Sequence, residues 1–321
     1  MISFGANIGD PLETIRAAAE FLQPITSEQK SDFRISRFFR TPPVGGPTGQ
    51  PPFVNAVAAI ETPLDVWEIW AAVRRAETAF GRQRNVRWEA RKLDVDILLH
   101  DDSRIWTPRL KVPHPRMCMR RFILAPACDV AAEWTDPVSG LSIGELSQRL
   151  AVGPGNLRVL AAEGTLGLKV AAEAARRAGA SFQVISPPGH HLCSNASGAA
   201  GCLEDSVNLT ASHGRRIEVL PLSESPSREL TTGMLSEIGA DSLNPTKLSV
   251  FLGGRTSTEG AWEDLHREAA IGLGMKSSDP PADWRIQGAK YLLTSEDENW
   301  AIHELTAALE AMDCPVEPIS E

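Results

Sequence analysis

At 321 residues, 42% hydrophobic and 23% charged, the chain is long for one domain and rich enough in apolar residues to bury two cores. No stretch reaches the length of a membrane span and Met1 to Gly5 do not read as a signal peptide, so cytoplasm is the expected location. Residues 1–150 hold 19 Lys and Arg against 18 Asp and Glu, whereas the rest is acidic and brings the total to −9, a balance that excludes the broad basic face of a nucleic-acid binder.

In chain order, Ser3 and Phe4 lead into the turn Gly5-Ala6-Asn7-Ile8-Gly9. Asp10-Pro11-Leu12-Glu13 then predicts a helix start, with Asp10 as cap, Pro11 at the first helical position and Glu13 closing a capping box. Phe33 and Ile35 alternate with polar neighbours and predict a strand ending near Arg40. Thr41 to Pro52 is rich in Pro and Gly and reads as a loop, after which Phe53 to Thr62 resumes strand character.

Leu64 to Phe80 carries Val66, Ile69, Val73 and Phe80 at helical spacing. Glu77 lies on that apolar stripe, either as a helix-edge charge, which periodicity favours, or as a ligand contact. A basic loop and a strand from about Lys92 to His100 follow, and this order predicts an α+β domain over residues 1–150.

The composition shifts at Val152-Gly153-Pro154-Gly155, a linker. Beyond it, strands at Leu157 to Ala162, Ser181 to Ile185, Ile217 to Leu220 and Leu248 to Leu252 go with helices at Val170 to Ala178 and Trp300 to Met312. That alternation predicts an α/β domain over 156–321. The five cysteines form no CxxC pair and read as free thiols. His190, His191, Cys193 and Cys202 match no usual zinc spacing and read as a polar loop.

The sharpest chemical signal runs from Arg82 to Ile97. Asp94 and Asp96 stand two apart on a strand and therefore share one face, while Leu93, Val95 and Ile97 take the other. Two adjacent carboxylates repel unless a cation lies between them, and hard oxygen ligands on a rigid element suit Mg²⁺. The four arginines just upstream, Arg82, Arg84, Arg87 and Arg91, supply donors for phosphate oxygens. Separately, each half reads as a solvated loop or an edge strand; together they favour phosphoryl-type transfer. Phe53, Asn55 and Val57 share a strand face, where Asn55 either bonds a nearby turn or reads a flat heterocycle.

These segments resemble the 6-hydroxymethyl-7,8-dihydropterin pyrophosphokinase family. The matching stretches are Ser3 to Gly9, Arg40 to Val44, Phe53 to Ala56, Glu77 to Arg84, Arg87-Trp88, Arg91 to Asp96, Val112 to Pro115 and Arg120 to Pro126, in family order. The resemblance implies a ferredoxin-like α+β fold and transfer of diphosphate from ATP to the pterin hydroxymethyl group, releasing AMP. It implies that Asp94 and Asp96 hold two Mg²⁺ ions, that Asp96 assists the substrate hydroxyl, and that Arg82 and Arg91 stabilise the transferring group. Glu77, Arg84, His114 and Arg120 would contact ATP. Asn55, with Thr41, Pro42 and Val44 of the loop, would read the pterin edge, and Phe53 and Phe122 would sandwich its ring. Glu89-Ala90 stands where the family carries Gly-Pro, Pro115 follows His114 where another residue is common, and Arg74 replaces a neutral ATP contact.

In the second half, Ala161 to Val170 resembles the phosphate loop of deoxynucleoside kinases with parts missing: no Gly precedes Lys169 and Val170 cannot ligate a metal. A degenerate P-loop kinase-like fold and an α/β domain serving dimerisation or stability both remain open. For the whole chain, the alternatives to the pyrophosphokinase are a non-catalytic pterin- or nucleotide-binding scaffold and a bifunctional enzyme with a live nucleoside kinase.

Overall fold

The first strand, β1 (Ile2–Ala6), alternates strictly: Ile2, Phe4 and Ala6 are buried on one face, and Ser3 and Gly5 take the other. The computed structural model describes residues 1–26, 32–81, 90–161, 164–185, 214–221, 246–253, 289–294 and 297–320. They divide into two units, Met1–Ala151 with Ala311–Glu321, and Val152–Glu310.

In the first unit, β1 is followed by α1 (Pro11–Leu22), β2 (Phe33–Ile35), β3 (Phe39–Thr41), β4 (Phe53–Ile60), α2 (Val66–Ala79) and β5 (Asp94–Ile97). The sheet runs β3-β4-β1-β5 with every neighbour antiparallel, β2 also pairs with β4, and a two-residue strand at Glu317–Pro318 adds to the outer edge of β3. Ile15, Ala18 and Leu22 of α1 and Val66, Ile69, Val73 and Ala76 of α2 pack with Phe4, Val54, Ala56, Val95 and Ile97 into one core. The opposite face of β4 is covered by α3 (Arg121–Ala131), which itself contacts α4 (Ile143–Ala151). Neither α3 nor α4 is expected from the sequence. Between α2 and α3, the short strands β6 (Ile105–Trp106) and β7 (Lys111–Val112) form a two-stranded ribbon.

Three local expectations are corrected. Asp10 does cap α1 through Glu13 N–H, but Glu13 turns its carboxylate to Arg16 at 2.8 Å; the capping box belongs to α2, between Asp65 and Glu68. The strand expected to run to Arg40 is broken at Ser36, whose hydroxyl accepts the Val57 N–H at 3.0 Å in place of a main-chain partner. The strand expected over 92–100 spans only Asp94–Ile97.

The second unit contains β8 (Asn156–Ala161), α5 (Gly164–Ala178), β9 (Ser181–Val184), β10 (Arg216–Pro221), β11 (Leu248–Gly253), β12 (Ala289–Thr294) and most of α6 (Glu298–Asp313). Its five strands are all parallel in the order β12-β11-β8-β10-β9, an α/β sheet with β8 at the centre. Gly167 sits where α5 crosses β8, and a side chain there would fall on the Cβ of Ala161. The terminal strand at Glu317–Pro318, β13, then belongs to the first unit. Among the described residues no helix is long and apolar enough to cross a membrane.

Candidate active site

Antiparallel register builds the site on the face of β1 that α1 and α2 do not cover. Gly5 lies opposite Asn55 of β4 on one side and opposite Asp94 of β5 on the other, and Ser3 lies opposite Asp96. Residues directly opposite one another share a face, so amide and carboxylates line up across the glycine. A Cβ on Gly5 would come within 3.4 Å of Asn55 Oδ1, so glycine keeps this part of the sheet open. Asn55 is 8% exposed and its Nδ2 donates to Thr41 Oγ1 at 2.8 Å, which fixes the direction of the amide. Phe53 begins β4 half-buried, Val44 is half-buried and Pro42 is exposed in the loop after β3.

Asp94 and Asp96 alternate with the buried Val95 and Ile97, as the period of two requires. An Arg91 Nη1 donates to Asp94 Oδ2. Behind the strand, Glu77 is 2% exposed; its Oε1 accepts the Val95 N–H at 3.2 Å and its Oε2 pairs with Arg74 at 2.8 Å. Glu77 is therefore a buried anchor and not the edge charge that periodicity favours. A buried carboxylate needs such partners, and α2 supplies it where β5 presents a main-chain donor away from β1.

His114 Nε2 lies 3.7 Å from Asp96 Oδ2. The Arg116 N–H donates to His114 Nδ1 at 3.2 Å, which puts the ring proton on Nε2, facing Asp96. Burial, then the charges of Arg120 and Arg116, hold the imidazole pKa well below its usual value, so the ring is neutral at pH 7. Arg120 stacks over the ring of Phe122, 5.4 Å from its centroid.

A cavity of about 230 Å³ joins these parts, lined among others by Trp70, Arg74, Glu77, Asp96, Lys111 and His114. Apolar walls with convergent cations and a carboxylate suit a planar group carrying phosphates. Trp70 and Lys111 carry no expectation from the sequence, and neither does Asn7, which is 3% exposed and bonds Arg91 on both sides of its peptide unit. The signal for Asn7 was a polar residue placed directly after an apolar strand. Arg82 and Arg84, with Arg87, Trp88 and Glu89, lie outside the described residues, as do His190, His191, Cys193 and Cys202.

Among the described residues no group of three His, Cys, Asp or Glu side chains gathers around a metal position. Two carboxylates on one strand face still fit Mg²⁺, which takes one or two protein carboxylates and completes its shell with water and substrate phosphate.

The family model described as 7,8-dihydro-6-hydroxymethylpterin-pyrophosphokinase (HPPK) matches residues 1–132. A Pseudomonas aeruginosa protein named 2-amino-4-hydroxy-6-hydroxymethyldihydropteridine pyrophosphokinase is 37% identical over 132 residues, 41% of this chain and 80% of that protein. A Haemophilus influenzae protein of the same name is 35% identical over 150 residues, 47% of this chain and 91% of that protein. The mitochondrial folate synthesis bifunctional protein of Pisum sativum is 32% identical over 133 residues, 40% of this chain and 24% of that protein.

Proposed function

We propose, for a chain that belongs to the 7,8-dihydro-6-hydroxymethylpterin-pyrophosphokinase family, that it transfers diphosphate from ATP to 6-hydroxymethyl-7,8-dihydropterin. The observation that carries this reading is the row Asn55–Gly5–Asp94 with Asp96 beside it, which joins an amide fit to read a heterocycle to a carboxylate pair fit for a metal–phosphate group.

In this reading the pterin lies on the open face, its edge met by Asn55 and the Thr41, Pro42 and Val44 loop, its ring between Phe53 and Phe122. The hydroxymethyl oxygen attacks the β-phosphorus. The bond from that phosphorus to the oxygen bridging the α- and β-phosphates breaks, and AMP leaves with the bridging oxygen. Asp96, the more exposed of the two acids, takes the hydroxyl proton. Asp94 and Asp96 would hold Mg²⁺, two ions in the family pattern, which when bound neutralises charge on the phosphates. Arg91 and Arg82 stabilise the transferring group, and Arg84, Arg120 and the neutral, donating His114 contact ATP. Glu77 acts through the Val95 main chain, keeping the strand between the two acids in place. The β-α-β-β-α-β order and antiparallel neighbours of the first unit support the ferredoxin-like assignment.

The test is AMP release from ATP, Mg²⁺ and hydroxymethyl-dihydropterin. Wild type should form AMP only with pterin present, and Asp94→Ala and Asp96→Ala should each lose about 10²-fold or more in kcat. A wild-type protein that binds pterin but releases no AMP would instead support the scaffold reading.

For the second unit, a central β8 leading into α5 supports a P-loop kinase-like ancestry without a working phosphate loop. Only two residues separate Ala161 from the helix, Lys169 is paired with Glu298 at 2.7 Å, and Val170 is fully buried. Phosphorylation of a deoxynucleoside by the full chain, retained in an Asp94→Ala/Asp96→Ala double variant, would overturn that reading.

A further inference from the structure

Asn7 closes β1 with all of its polar groups engaged across the site. Its main-chain N–H donates to Arg91 O at 3.0 Å, and its side-chain Oδ1 accepts the Arg91 N–H at 2.7 Å. Its Nδ2 donates to Pro51 O at 3.2 Å. Only this orientation of the amide satisfies both side-chain bonds; the flipped one would set donor against donor and acceptor against acceptor.

Three segments therefore meet at one side chain: the end of β1, the residue that leads into β5, and the end of the Thr41–Pro52 loop two residues before Phe53. Arg91 in turn pairs with Asp94. An arginine that stabilises a transferring group must be held within about 0.5 Å of its working position, and its peptide unit is where Asn7 grips it.

We propose that Asn7 is a positioning residue that sets the Arg91 guanidinium and seats the loop ahead of Phe53 through a single amide. The diphosphate-transfer arm of its test rests on the function proposed above; the exchange arm does not. Aspartate at position 7 keeps the acceptor for Arg91 but cannot donate to the Pro51 carbonyl, whereas alanine loses both bonds.

The experiment is steady-state AMP release by wild type, Asn7→Ala, Asn7→Asp, Arg91→Ala and the Asn7→Ala/Arg91→Ala double variant, with amide hydrogen exchange followed at Arg91. Asn7→Ala should lower kcat by about 10- to 100-fold, and much less than that once Arg91 is already alanine, because residues acting as one unit are not additive. Asn7→Asp should keep most of kcat and raise KM for the pterin by about tenfold, as loss of a single positioning bond would. Exchange at the Arg91 N–H should speed up in Asn7→Ala and stay near wild type in Asn7→Asp. Unchanged exchange in Asn7→Ala overturns the proposal whether or not the protein turns over. So does a full, multiplicative loss in the double variant, which would make Asn7 a structural residue only. An Asn7→Ala that fails to fold leaves Asn7→Asp to decide, since equal losses in kcat and kcat/KM there would contradict the split. Wild type that forms no AMP but shows the exchange pattern would refute the activity and not the coupling.

Discussion

The buried carboxylate of Glu77 on α2 accepts the main-chain N–H of Val95 at 3.2 Å, so the residue between Asp94 and Asp96 is held from behind by an acid that does not face the open sheet. Glu77→Ala leaves that N–H without its acceptor and Arg74 without its carboxylate. Glu77→Gln keeps one acceptor. The expected cost is about 2–3 kcal/mol for alanine and about 1 kcal/mol for glutamine, read as a shift in the urea midpoint. AMP release should fall in kcat more than in KM, because the acids are displaced and not removed.

Gly5 stands between Asn55 and Asp94, and its missing side chain is what leaves the row open. A methyl group there meets Asn55 Oδ1 at 3.4 Å, an ordinary contact, so Gly5→Ala should fold with a melting temperature close to wild type. Its pterin KM should nevertheless rise by about tenfold, a loss of some 1.4 kcal/mol of binding. Calorimetry beside kinetics separates the two; a large fall in melting temperature with unchanged KM would show that the methyl acts on the sheet and not on the ligand.

The end of the chain returns to the first unit. Glu317 pairs with Arg40 and Pro318 with Phe39, the Ile319 N–H donates to Phe38 O at 2.8 Å, and Ile319 packs against the core. These bonds cover the edge of β3, the strand that carries Thr41, the partner of Asn55. Deleting residues 314–321 should destabilise the first unit by about 1–3 kcal/mol and weaken pterin binding more than ATP binding. Stability by denaturant and ligand titration by fluorescence check both.

Cys314 reports on the same segment. It is 2% exposed, and burial pushes its thiol up to about 12 from an ordinary 9.0. The folded chain thus keeps a proton that the unfolded chain releases above pH 9, so stability should fall as pH rises from about 9 toward 12, and a Cys314→Ala variant should show a shallower fall. In the native protein at pH 8 this thiol should resist alkylation that proceeds readily in denaturant. Rapid native labelling of Cys314 would mean that the end of the chain leaves the sheet.

In the second unit, Gly167 sets two effects against each other. Alanine improves helix propensity by about 1 kcal/mol, but its methyl would fall on the Cβ of Ala161. Overpacking of that kind costs about 1–3 kcal/mol, so Gly167→Ala should destabilise, and Gly167→Ala with Ala161→Gly should recover much of the loss in denaturant unfolding.

Much of the site was legible in the sequence because it depends on short-range rules. A period of two puts Asp94 and Asp96 on one face whatever their neighbours, and helical spacing marks α2 and α5. A short helix with a proline inside, such as α3, carries a weaker signal, and Pro126 reads as a breaker until packing overrides it.

What tertiary structure decided was which distant groups meet. A carboxylate on a helical stripe reads as an edge charge until β5 supplies a main-chain donor for it, and Glu77 becomes an anchor only then. Asn7 is one polar residue in a turn until Arg91 and Pro51 converge on it from 84 and 44 residues away. The pairing of Glu317 with Arg40 likewise joins the two ends of the sequence. Local pattern determines the face on which a side chain emerges; the partner on that face is chosen by the packing of the whole sheet, where burying apolar area and satisfying each buried polar group must be solved together.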